Sequence, residues 1–218
     1  RNTDAPAISR LWTEHNRELR GDGTISMNTL EIAILGRHFF SSDNLLIAVD
    51  GNEAIGFVHW MMVPQQTDVA LVAAITVQNH DDRDRIAVAL LSAAIERART
   101  AGATRMLMGQ APEYWTGYAG IGGAGMGGGI AEGDRAVRQW ADEAGFLPFR
   151  RLVSYLLNVA TYRPAYDRHL IAMRRSASVD RRRDVTDQPF RIAAAMSHLE
   201  LHRFVASSRD GQPLADAD

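Results

Sequence analysis

A sheet covered by helices on both faces, of α+β or α/β type, is the fold this sequence predicts. Three observations carry it. Two apolar runs flank Asp50-Gly51-Asn52, which is the pattern of a tight β-hairpin. The run Val69 to Val77 (VALVAAITV) has the unbroken apolar character of a buried central strand. The amphipathic stretch Asp82 to Ala101 follows it and leads into another apolar run, Thr104 to Met108.

Each element has a local reason. Asp4 to Arg20 places Ile8, Leu11, Trp12, His15 and Leu19 at helical spacing, and Gly21-Asp22-Gly23 stops it. Ser26 is placed to cap a second helix through about Phe40, with Met27, Leu30, Ile34 and Leu35 on one face. Leu45 to Val49 and Ala54 to Val63 form the hairpin strands. The helix 82–101 begins with acids, carries Ile86, Leu90, Leu91, Ala94, Ile95 and Ala98 on one face, and ends at Gly102. Asp134 caps a helix that closes at Gly145-Phe146, and Leu152 to Val159 (LVSYLLNV) reads as a last strand. The order is helix, helix, hairpin, strand, helix, strand, helix, strand.

Composition narrows the chemistry. The chain has 218 residues, 46% hydrophobic and 23% charged, with a formal net charge of −2, which is globular composition and leaves no general attraction to nucleic acid. It contains no Cys, so disulfides, thiolate nucleophiles and Cys-ligated metals are excluded. All 24 basic residues are Arg, which excludes lysine Schiff-base chemistry and a P-loop lysine. No apolar run approaches the roughly 20 residues of a membrane span. The start, Arg1-Asn2-Thr3-Asp4, has neither Met nor a signal-peptide pattern; it reads as the start of a fragment, and the composition is compatible with a cytoplasmic home.

Two regions stand apart. Residues 117–133 hold nine of the chain's 18 glycines. Gly120-x-Gly122-x-x-Gly125 matches a dinucleotide fingerprint formally, but in so glycine-rich a stretch a match is nearly unavoidable, and the motif does not open directly after a strand. A lid over an acceptor site, an insertion and a plain loop remain open for it. Residues 161–218 carry ten Arg and eight acids, against fourteen and eighteen before them. Phe190 to Phe204 has helical character, Phe204 to Ser208 reads as a strand, and Asp210-Gly211 turns into Pro213-Leu214-Ala215. Beside the first hairpin this reads as the beginning of a second copy of the fold, so the division is 1–160 and 161–218. His198 and His202 share a helical face at a metal-compatible spacing, without a third ligand, so no metal site is expected. Arg181-Arg182-Arg183 has acidic neighbours and no aromatic interleaving, so nucleic-acid binding is not expected either.

The order of elements in 1–159 resembles the GNAT superfamily of acyl-CoA-dependent N-acyltransferases. The residues that carry the resemblance are Val77, Ile86, Ala87, Leu90 and Leu91 across the strand–helix junction. The exits Ala101-Gly102-Ala103 and Glu143-Ala144-Gly145-Phe146 add to it. The resemblance implies a mixed, mostly antiparallel sheet whose central parallel pair, 69–77 and 104–108, splays apart to admit the pantetheine arm of acetyl-CoA. It implies that backbone at Ile75, Thr76 and Val77 would pair with that arm, and that the loop and helix start, through Arg83, Asp84, Arg85, Ile86 and Ala87, would face the pyrophosphate. The chain departs from the family pattern there: Asp82 stands where the family has Arg, and Arg83 and Arg85 stand where it has Gly. Either the arginines grip phosphate as guanidinium forks, or they obstruct it, or they simply pair with Asp81, Asp82 and Asp84.

The family's general-acid Tyr is replaced by Ala141, with Trp140 beside it. Tyr114 and Tyr118 are the alternative proton donors; Glu113, His59 and His80 are candidate bases, with Glu113 favoured by its place at a strand end. The resemblance thus implies acetyl transfer to a primary amine on a small molecule or peptide. The alternative is a non-catalytic lobe that has lost acyl-CoA binding and serves as a structural or partner-binding module. An exposed sheet edge or the second lobe offers a surface for a homodimer or for pairing within the chain.

Overall fold

The computed structural model describes residues 4–20, 26–36, 40–63, 66–109, 118, 129–151, 161, 163, 168–182 and 203–217. The chain divides into two compact units, Arg1–Ser154 and Tyr155–Asp218.

The first unit opens with α1 (Ala5–Arg20) and α2 (Met27–Leu30). Ser26 caps α2 by accepting from the Thr29 amide at 3.1 Å. The second helix is shorter than its apolar spacing suggests: after Leu30 it widens into a π-helical turn over Glu31–Leu35 and stops at Gly36, whose amide reaches back to Glu31 O at 2.7 Å. That five-residue hydrogen bond shifts the register of the apolar stripe, and Leu30, Ala33 and Ile34 still come to lie fully buried.

The sheet has four strands, β1 (Leu45–Asp50), β2 (Glu53–Met62), β3 (Val69–Val77) and β4 (Arg105–Met108), hydrogen-bonded in that order. β1–β2 is the expected hairpin, closed at Asp50↔Glu53, with Gly51 at φ 57°. β2–β3 is antiparallel and β3–β4 is parallel, so the sheet is mixed. Between β3 and β4 the chain crosses through α3 (Arg83–Thr100), and after β4 comes α4 (Arg135–Glu143). Asp134 caps α4 by accepting from the Val137 amide at 3.1 Å.

Every residue of β3 is buried, because helices cover both faces of the sheet. Val58, Trp60, Val72, Ile75, Leu91 and Trp140 join the core toward α3 and α4. Ile8, Leu11, Leu30, Phe57, Ala73, Ala74 and Tyr118 form the core toward α1 and α2.

Gly109 and Gly129, both at positive φ (87° and 77°), meet at the end of β4. A Cβ built on Gly109 would lie 2.8 Å from the Gly129 backbone, so this approach requires glycine.

The second unit contains α5 (Arg168–Ser176) and a three-stranded antiparallel sheet, β5 (Ala177–Arg182), β6 (Arg203–Ser208) and β7 (Pro213–Ala217). The strand at 204–208 and the turn at Asp210-Gly211 were legible in sequence; α5 and β5 were not. Phe204 belongs to β6 instead of ending a helix, and the rest of the helix expected from Phe190 lies outside the described residues. So do the strand expected at 152–159 and the pair His198 and His202. Each hairpin carries one bulge, at the Ala48/Val49 step in β1–β2 and at the Ala206/Ser207 step in β6–β7.

Candidate functional site

The site is set by a defect in the central strand. Opposite β2 the register runs His59↔Ala74 and then Trp60↔Val72, so Ala73 is an extra residue without a cross-strand partner. A bulge changes the parity of a strand. Ala70 and Val72 face α3 before it, Ile75 and Val77 face α3 after it, and Ala73 and Ala74 both turn toward α1. The parallel ladder with β4 ends at the same place: its last pair is Val72↔Met108, followed by a long bond from Gly109 N–H to Val72 O at 3.4 Å. The described part of β4 therefore accompanies only the first four residues of β3. The path beyond Gly109, and with it any divergence of the two strands, lies outside the described residues.

On the α1 side of the bulge sits a buried polar pair. Tyr118 OH and His59 Nδ1 are 3.1 Å apart, inside a cage of rings: Trp12 meets Tyr118 edge-on at 5.2 Å, and Phe40 meets His59 at 5.4 Å. Burial lowers the His59 imidazole to about 4, and it pushes the Tyr118 phenol well above its ordinary value. Both groups are therefore neutral at physiological pH. Of the proton donors and bases expected from sequence, Tyr118 and His59 are brought together, while Glu113 and Tyr114 lie outside the described residues.

The junction from β3 into α3 is densely bonded. Ile75, Thr76 and Val77 are buried at the end of β3. His80 replaces a side-chain cap at the start of α3: its Nδ1 accepts from the Asp82 amide at 3.0 Å and its carbonyl from the Arg83 amide at 3.0 Å. Arg83 donates from Nε to Val77 O at 2.9 Å, pairs with Glu18 of α1 at 3.2 Å, and lies over the Trp140 ring at 5.3 Å. Asp84 accepts from Trp140 Nε1 at 2.6 Å. Arg85 points outward, 80% exposed, and pairs with Asp82 at 3.0 Å. Ala87 is fully buried under the helix and Ile86 packs against the same core. Two arginines of one helical turn thus differ: Arg83 ties β3, α1 and α4 together, and Arg85 stands in solvent.

Sequence reasoning missed one constellation. His15 Nε2 lies 3.0 Å from Asp134 Oδ2, with both side chains buried, and Trp12 stacks on the imidazole at 5.7 Å. His15 carried a signal, since it occupies an apolar-face position of α1, but its partner is 119 residues away and no local pattern joins the two. Among the described residues no cluster of three or more His, Cys, Asp or Glu could hold a metal. No described helix is long and apolar enough to cross a membrane.

No protein-family model and no curated protein matches the chain. Solved structures do match it. An aminoglycoside acetyltransferase from an uncultured soil metagenomic sample, in complex with sisomicin, is 13% identical, with 72% of this chain and 91% of that chain covered and a TM-score of 0.47. An aminoglycoside N-acetyltransferase in complex with CoA is 16% identical, with 72% and 90% covered and a TM-score of 0.46. A protein from Thermus thermophilus is 17% identical, with 72% and 93% covered and a TM-score of 0.43. Each of these three matches covers 72% of this chain, whose described first unit is α+β with a mixed sheet and one parallel pair.

Proposed function

We propose that the first unit transfers an acetyl group from acetyl-CoA to a primary amine of a small molecule or peptide. The observation that supports this best is the coincidence at Ala73: the central strand bulges where the described ladder with its parallel neighbour ends. A bulged residue leaves its backbone N–H out of the ladder, and such a donor is what a thioester oxygen needs as negative charge develops on it. On this reading backbone groups of β3 beyond Val72 would pair with the amides of a pantetheine arm, as an added strand would. On the same reading the α3 N-terminus would receive the pyrophosphate, with the exposed guanidinium of Arg85 as its cation. The amine attacks directly, and alignment of the two substrates supplies most of the acceleration.

A specific observation favours a second reading, a non-catalytic unit. Arg83 and Asp84, at the start of α3, are already engaged by Val77, Glu18 and Trp140, and Asp81, Asp82 and Asp84 oppose an incoming phosphate. Titration calorimetry separates the readings. Acetyl-CoA and desulfo-CoA bind with micromolar affinity on the first; absence of heat at millimolar ligand leaves the second.

A further inference from the structure

Three buried polar atoms have no hydrogen-bond partner among the described residues, Trp12 Nε1, His15 Nδ1 and Trp60 Nε1, and the first two lie on adjacent rings of α1. Orphans of this kind are rare in folded proteins and ask for an explanation. For His15 the surroundings give one. Its Nε2 faces the Asp134 carboxylate at 3.0 Å, so Nε2 carries the hydrogen and donates it. Asp134 is itself fixed, since its other oxygen accepts from the Val137 amide at the start of α4. The imidazole is also clamped by the stacked Trp12 ring. Glu18, one turn further along α1, is taken by Arg83 and does not compete. What remains is an oriented imidazole, 7% exposed, with a carboxylate behind it and a lone pair on Nδ1.

We infer that His15 and Asp134 form an acid–base pair, Asp134 fixing the tautomer and His15 Nδ1 taking a proton from a primary amine bound beside Trp12. This rests on the acetyltransferase reading for its reaction and on the buried pair for its site. The path to the bulge runs through aromatic contacts: Trp12 stacks on His15 and meets Tyr118 edge-on at 5.2 Å, and Tyr118 shares a core with Ala73 and Ala74. In the reaction the amine nitrogen forms the bond to the carbonyl carbon of acetyl-CoA, and one of its protons passes to His15 Nδ1. The carbon–sulfur bond breaks with its electron pair on sulfur. The resulting thiolate takes a proton from solvent, to which His15 returns its own. Trp12 Nε1, an unused donor, suits the lone pair of an acceptor's oxygen or of a water held with it.

The test is imidazole ¹⁵N NMR on the whole chain, with kinetics. Wild-type protein at neutral pH is expected to show His15 hydrogenated at Nε2 and bare at Nδ1, with the Nδ1 resonance moving saturably on addition of benzylamine or n-butylamine. In Asp134→Asn, whose side chain still caps α4, the tautomer preference relaxes. There and in His15→Gln, kcat/KM for the amine falls about a hundredfold while the KM for acetyl-CoA is kept. A wild-type Nδ1 that bears hydrogen at neutral pH, or an Nδ1 signal indifferent to both amines, overturns the inference. So does full transfer activity in folded His15→Gln. If acetyl-CoA gives no calorimetric signal and no transfer occurs, the acetyltransferase reading fails instead, and the amine titration at His15 decides the acid–base pair by itself.

Discussion

On the α3–α4 face of the sheet, Trp140 donates to Asp84 and lies under Arg83, whose own donors reach Val77 and Glu18. On the α1–α2 face, Trp12 Nε1 and His15 Nδ1 have no described partner, and Tyr118 and His59 have each other. Both faces pack tryptophan against charged or titratable groups and a set of aliphatic side chains, with Trp60 and Trp140 buried on one and Trp12 partly buried on the other. The first joins helices to strands through Trp140, Asp84 and Arg83, and leaves Trp60 Nε1 without a described partner. The other holds polar atoms open beside the bulge at Ala73. Satisfied buried networks rigidify a fold, whereas open ones are costly unless something else completes them. The first face is tied by a charged network, and the second carries a buried titratable pair, His15 and Asp134, with one ring nitrogen unused.

The sharpest way to break that comparison is to truncate the hydrogen-bonded tryptophan of the first face. Trp140→Ala leaves a cavity beneath α3 and removes the partner of Asp84, and should lower unfolding free energy by about 3–5 kcal/mol in urea titrations. An effect below ~1 kcal/mol would show that this face does not anchor the fold.

Acid pH probes the open face. Below about pH 6.5 the unfolded chain binds a proton at His59 that the folded chain refuses until about pH 4. Stability from this site is therefore complete above pH 6.5 and falls between 6.5 and 4. The fall totals roughly 3 kcal/mol for a shift of this size. His59→Gln keeps a hydrogen-bond partner for Tyr118 and should flatten that slope; an unchanged pH dependence of the urea midpoint would locate the acid sensitivity elsewhere.

Paired conservative changes sharpen the contrast further. Trp140→Phe loses a hydrogen bond to a carboxylate and should cost about 1.5–3 kcal/mol. Trp12→Phe removes a donor that has no described partner and should be neutral or stabilising by a few tenths of a kcal/mol. Equal losses in the two variants, read by thermal and urea denaturation, would erase the distinction between the faces.

The smallest effect belongs to Arg85. With its side chain 80% exposed and its partner on the surface, Arg85→Ala should change stability by no more than ~0.5 kcal/mol. Any change in calorimetric affinity for acetyl-CoA then reports phosphate contact. Arg83→Ala should instead destabilise the fold, because it releases Val77 O and Glu18 together.

Much of the architecture was written in local patterns. The hairpin about Gly51, the apolar β3, the acid-led α3 and the Asp134 cap all arise from neighbours in sequence, which is why periodicity and turn residues reveal them. The bulge was not legible. VALVAAITV reads as one uninterrupted strand, and only the pairing with β2 shows that Ala73 has no counterpart. The π-turn at Glu31–Leu35 escaped for a like reason, since its stripe of apolar residues fits an α-helix as well. β5 is poor in apolar residues (ASVDRR), so its strand character comes from its partner β6. At the site, Arg83 and Arg85 look alike in sequence and differ by what the fold brings to them: Trp140 and Glu18 for one, solvent for the other. His15 and Asp134 meet only in three dimensions.

The contact of Gly109 with Gly129 bears on how such a chain can change. The two glycines hold points twenty residues apart in sequence against each other, and the entropic cost of closing a loop at such a point grows only slowly with its length. Tyr118, seated among Trp12, His59 and Ala74, is the anchor that any change between the two glycines has to keep.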